Sequence, residues 1–70
     1  MNRTPVSSAN IKSIGYDKDK LCLEIEFNNG SVYHYDGVDY STYHGLVSAE
    51  SVGRYFSQYI RPTYAGSKVL

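Results

Sequence analysis

The seven residues Leu21-Cys22-Leu23-Glu24-Ile25-Glu26-Phe27 constrain the fold more than any other part of the chain. A strand turns successive side chains to opposite faces. Leu21, Leu23, Ile25 and Phe27 therefore share one face, and Cys22, Glu24 and Glu26 share the other. That pattern is a half-buried antiparallel strand. Asn28-Asn29-Gly30 follows at once and reads as a hairpin, because Asn and Gly tolerate positive φ. Ser31 to Asp36 is the returning strand. Before the turn Asp17-Lys18-Asp19-Lys20, Ile11 to Tyr16 forms a weaker strand, with Ile14 and Tyr16 on one face. The three strands make a meander.

The hairpin admits two registers. A two-residue Asn29-Gly30 turn puts Val32 and His34 on the face of Ile25 and Phe27, and Tyr33 and Tyr35 outside. A three-residue loop with a bulge at Gly30 swaps the faces and packs Tyr33 and Tyr35 beside Leu23 and Ile25. The bulged loop is favoured, because two tyrosines bury more area than a valine and a histidine.

Helical spacing takes over after Gly37. Asp39 or Ser41 can cap a first helix reaching about Ala49, with Tyr40, Tyr43, Leu46 and Val47 at helical spacing. Gly45 inside it weakens the helix by about 1 kcal/mol. Ser51 can cap a second helix, in which Val52, Tyr55, Phe56, Tyr59 and Ile60 form an amphipathic stripe. Arg61 precedes Pro62, so this helix ends there. The expected order is β-β-β-α-α. It describes an α+β domain in which a three-stranded antiparallel meander is followed by two short helices packed on one sheet face. Residues 1–9 read as a flexible N-terminal arm, 10–64 as a single domain and 65–70 as a frayed tail.

Size and charge narrow the function classes. Seventy residues allow one domain and leave little room for a deep pocket. Equal numbers of basic and acidic residues, seven each, argue against strong non-specific attraction to nucleic acid or membrane but permit a local basic patch. No apolar run approaches the roughly 18 residues of a membrane span, and no signal peptide is recognisable. Cys22 is the only cysteine and cannot form an internal disulfide, which points to a reducing cytoplasm.

Catalytic chemistry finds few candidates. Cys22 with His34 or His44 offers the ingredients of a nucleophile and base, but no local signature surrounds them. A small apolar cysteine, an outward strand histidine and a surface helix histidine account for them. The same residues give no close-spaced metal ligands. Glu24 and Glu26 read as a solvated strand edge. The scattered glycines contain no phosphate loop. No enzyme activity, cofactor or metal is expected.

Recognition has better material. Arg54 and Arg61 stand seven residues apart on the second helix, about two turns. Eight tyrosines accompany them. Arginine beside exposed tyrosine suits RNA, since phosphates pair with Arg and bases stack on Tyr. The same arginines are also ordinary helix-end residues whose stems cover apolar surface. Tyrosines equally suit a small core, or a protein or dimer surface, and open outer strands invite edge pairing.

The ordered set of motifs resembles the KTSC domain, found at the C-terminus of some lysyl-tRNA synthetases and as stand-alone bacterial and phage proteins. Ile14-Gly15-Tyr16-Asp17 looks like the family's opening, and the Leu21 to Gly30 stretch like its central hairpin. Tyr33-His34-Tyr35 matches its Tyr-x-Tyr signature. Ala49-x-Ser51-x-Gly53-x-Tyr55-Phe56, then Ile60-Arg61-x-x-Tyr64, looks like its C-terminal motif. Asp39 stands where the family often has proline, at a position where Asp also caps. The resemblance implies a fold-length module with a suggested RNA contact and no assigned activity. The expectation is a cytoplasmic, non-enzymatic module contacting structured or single-stranded RNA, tRNA included, through Arg54, Arg61, Tyr35 and Tyr64. The alternative is protein interaction or self-association through an open sheet edge or a Tyr-rich surface.

Overall fold

The meander forms where the alternation places it, but the sheet is wider than three strands. The computed structural model describes residues 1–70. Its strands are β1 (Arg3–Pro5), β2 (Ile11–Asp17), β3 (Cys22–Phe27), β4 (Val32–Asp36) and β5 (Gly66–Lys68). They form one antiparallel sheet in the order β1-β2-β3-β4-β5. Helices α1 (Tyr40–Ser48) and α2 (Val52–Tyr55) lie between β4 and β5, and α2 runs directly into a π-helical segment, Phe56–Ile60.

The two added strands come from the segments read as a flexible arm and a frayed tail. Arg3, Thr4 and Pro5 pair with Gly15, Ile14 and Ser13. Gly66, Ser67 and Lys68 pair with Tyr35, His34 and Tyr33. Neither segment carries an apolar alternation, so neither announces itself as a strand. Each forms because a long neighbour offers an unpaired edge. Strand β3, flanked by β2 and β4, is the central strand of five as it was of three, so Glu24 and Glu26 do not lie on a sheet edge as the sequence implied.

The hairpin takes the bulged register. The Phe27 N–H donates to Ser31 O at 2.9 Å, the Gly30 N–H donates to Phe27 O at 3.0 Å, and Gly30 sits at φ +92°. Tyr35 faces Leu23 and Tyr33 faces Ile25. A second bulge, between Ile11 and Ser13, shifts the register of β2 against β3. It lets Ile11 and Ile14, three residues apart, both face the core.

Helix α1 is capped by Asp39, whose carboxylate accepts from the Thr42 N–H at 2.9 Å. The Thr42 hydroxyl first, and then that backbone bond, hold the Asp39 carboxyl below its usual range. Ser51 caps α2 through the Arg54 N–H at 3.3 Å. The second helix departs from a continuous α-helix for a reason visible in its spacing. Val52, Phe56 and Ile60 are all buried. On an α-helix each step of four residues overshoots a full turn by about 40°. The wider turn, in which the Arg61 N–H reaches Phe56 O at 2.9 Å, keeps the three in line. Tyr59 is thereby turned out of the expected stripe and is 55% exposed. Tyr40 is likewise exposed rather than part of the core. Gly45 sits mid-helix because the Tyr55 ring lies against it, and a Cβ there would collide with the Tyr55 hydroxyl.

Candidate nucleic-acid interface

A trough runs along one flank of α2 and the π-helical segment. Its outer wall is the Ser8–Asn10 stretch, which backbone and side-chain bonds strap to the hairpin loop. The Ser8 hydroxyl accepts from the Asn10 and Ile11 N–H groups, each at 3.3 Å. The Asn28 amide donates to Ala9 O at 2.8 Å, and the Asn28 N–H donates to Asn10 O at 2.8 Å. The inner wall is Gly53, Ser57 and Arg61, and Ile11, Phe27 and Phe56 form the floor. This central part has a volume of about 400 Å³.

The trough extends both ways. Towards β4 it continues into a depression of about 270 Å³ where Arg61 meets Phe27, Tyr33, Tyr35 and Phe56. The rings pack edge to face: Phe27 and Phe56 at 5.7 Å, Tyr35 and Phe56 at 5.5 Å, Phe27 and Tyr33 at 5.5 Å between centroids. Towards the start of α2 it continues past Ser7, Ser51 and Arg54. It then turns around Arg54 to a shallow hollow beside Tyr55 and Tyr59. Glu50 is the only carboxylate along the whole course. Neither Arg54 nor Arg61 forms an ion pair, whereas Arg3 and Lys12 are both engaged by Glu24 or Glu26.

Of the four residues that sequence reasoning selected, the trough brings three to its lining. Arg54 stands near one end and Arg61 near the other. Tyr35 lies with Arg61, but it is only 6% exposed and serves as floor. Burial pushes its phenol pKa up, and the nearby Arg61 charge partly offsets that. Tyr64 lines no part of the trough. It packs at the opposite end of the sheet, close enough to Tyr16 to influence its hydroxyl. Tyr16 there donates to Val38 O at 2.6 Å and stacks on Tyr43 at 4.5 Å. Its pKa is raised, first by burial and then by the charges of Asp39 and Asp17. The residues that sequence reasoning missed are Phe27, Tyr33 and Phe56, together with the Ser8–Asn10 wall. Phe27 and Phe56 looked like core, and nothing in Ser7-Ser8-Ala9-Asn10 foretells its attachment to the hairpin loop.

Of the nucleophile and base candidates, Cys22 and His34 lie on the far face of the sheet. Burial raises the Cys22 thiol pKa, and Asp36 raises it further by charge and hydrogen bonding. An activated thiolate needs the opposite shift. The His34 Nε2 is occupied by Glu24 at 2.7 Å. His44 is exposed on α1, with its ring 6.0 Å from Tyr40. No helix is long and apolar enough to cross a membrane.

Residues 7–64 match the family described as the KTSC domain. The chain belongs to the KTSC domain family. A crystal structure of a KTSC domain protein from Yersinia pestis superposes with a TM-score of 0.92 at 41% identity, covering 99% of this chain and 97% of that one. An uncharacterized protein of Stutzerimonas stutzeri is 36% identical over 91% of this chain and 90% of its own length. A protein of Tsukamurella paurometabola is 33% identical over 86% of this chain and 90% of its own. Within this KTSC fold the Tyr33-His34-Tyr35 signature has a structural sense. Both tyrosines face the helices, while His34 faces outward to Glu24.

Proposed function

We propose that this KTSC domain is a small non-enzymatic binding module that contacts RNA along the trough, in a cytoplasmic setting. The observation that carries the reading is the pair of unpaired guanidinium groups, Arg54 and Arg61, on a course lined by amides and hydroxyls with one carboxylate. Free guanidinium groups suit phosphate oxygens. Half-exposed Phe27 and Tyr33 offer ring surface to a base. They take the stacking role that the sequence alone gave to Tyr35 and Tyr64.

The test is amide NMR of labelled protein, titrated with total tRNA and with a short single-stranded RNA at low and moderate salt. Shifts are expected around Arg54, Ser57 and Arg61 and at the hairpin loop. Two phosphate contacts predict a slope of log K on log salt of about −1.4. The double variant Arg54→Glu/Arg61→Glu is expected to lose binding while keeping its fold; unchanged affinity sinks the assignment. A protein partner is the second reading, favoured by Tyr40 and Leu21, which stand 58% and 41% exposed away from the trough. Leu21 also holds a positive φ of 54°, a strained conformation for a bulky side chain. Salt-insensitive association with a mass shift in sedimentation would turn the assignment that way.

A further inference from the structure

The trough is not uniform along its length. Its middle has polar walls above the apolar floor, with Ser8, Asn10, Gly53 and Ser57 facing one another. Its two ends are aromatic. At the Arg61 end stand Phe27 and Tyr33. At the Arg54 end stand Tyr55 and Tyr59, with ring centroids 4.8 Å apart and tilted by 50°. Tyr59 is exposed because the π-helical turn swings it out of the core stripe. Each aromatic pair thus has its own arginine.

From this arrangement we infer that the ligand is an unpaired RNA strand held at two stations. One base stacks at Phe27 and Tyr33, another at Tyr59, and the backbone between them crosses the polar middle. The inference rests on the RNA reading and sharpens it to a strand conformation and a length. A base within a duplex presents only its edges, whereas an unpaired base presents a face that an exposed ring can cover. Arg54 and Arg61 are separated by about 10 Å of helix rise, and the molecule measures 28 × 25 × 23 Å. A stacked strand advances about 3.4 Å per nucleotide, so about seven nucleotides cross the whole face. A strand of four to seven nucleotides therefore reaches both stations, and a dinucleotide reaches one.

The experiment measures affinity for single-stranded RNA of two, four, six and eight nucleotides, and for a duplex of eight base pairs, by fluorescence anisotropy with NMR mapping. Affinity is expected to rise at least tenfold between two and six nucleotides and then to level off. The six-nucleotide strand is expected to shift amides at both Tyr33 and Tyr59. Tyr59→Ala should weaken the hexamer about tenfold, and Tyr59→Phe should restore it, because the ring face and not the hydroxyl is used. Tyr59 is exposed, so its truncation leaves the core intact. Equal affinity for two and six nucleotides overturns the two-station inference while leaving RNA binding in place. So does a duplex that binds as tightly as the single strand, or a Tyr59→Ala variant that binds the hexamer normally. Absence of any shift with every RNA overturns the RNA reading itself.

Discussion

On the inner face of β3, Leu23 and Ile25 have no exposed surface and belong to one apolar cluster with Leu46, Phe56 and Ile60. On the outer face no helix covers Glu24 and Glu26, yet their side chains retain only 16% and 19% exposure. Neighbouring strands supply the cover. Arg3 on β1 lies 3.5 Å from Glu24, the Ser13 hydroxyl on β2 donates to Glu26 at 2.8 Å, and His34 on β4 meets Glu24 at 2.7 Å. One face is held by area removed from water, the other by partners reaching across from three strands. The difference teaches how so short a chain uses both sides of a sheet. The inner face supplies the stability. The outer face resists slippage, since a one-residue shift of β3 would carry both glutamates under the helices, where nothing pairs with them.

The strongest way to break the comparison is at Ile25. Ile25→Ala removes buried methyl groups from the middle of the cluster and should destabilise the domain by about 3 kcal/mol. A domain of this size has a total stability of roughly 4–10 kcal/mol, so urea denaturation should show a large fall in midpoint or outright unfolding. A loss below about 1 kcal/mol would mean that the inner face is not the main source of stability.

A smaller effect is expected on the outer face. Glu24→Gln keeps an oxygen acceptor but removes the charge facing Arg3 and His34. The loss should be about 1 kcal/mol or less, read as a Tm fall of about 4–8 °C at most for a domain of this length. A loss comparable to Ile25→Ala would erase the distinction between the faces.

The same contrast explains what the sequence made legible. Strand β3 was readable because its inner face is apolar at every second residue, and the bulged hairpin followed from the area that Tyr33 and Tyr35 could bury. The Ser51 cap was readable from side-chain chemistry alone, and the first cap was readable down to Asp39 or Ser41, of which the structure uses Asp39. Strands β1 and β5 were not, because their residues are exposed and their pairing depends on edges that only the folded meander creates. The π-helical turn was hidden too: the stripe reads equally well as an α-helix, and only the packing of Val52, Phe56 and Ile60 together decides otherwise. At the candidate site the arginines were legible from their seven-residue spacing on the second helix, and their lack of ion pairs was not. The placement of the rings was not legible, since burial of Tyr35 and the position of Tyr64 away from the trough are consequences of register and chain return, not of local pattern.

The smallest effect tests the faces by pH. On the inner face the Tyr16 and Tyr35 phenols have raised pKa values, and on the outer face the Cys22 thiol does. A raised pKa means that the folded state keeps its proton where the unfolded chain has lost it. The stabilising contribution is full below the unfolded value and is lost as pH rises through the folded one. Cys22 starts from a reference of 9.0 and the tyrosines from 10.0, so the outer face should respond first. Urea midpoints should begin to fall as pH rises past the thiol reference value of 9.0 in the wild type and fall less in Cys22→Ala. Above pH 10 both proteins should lose stability together, because the inner-face tyrosines are common to them. If Cys22→Ala follows the wild type at every pH, the thiol is not held protonated by Asp36 and its buried position. The outer face would then add no alkaline sensitivity of its own.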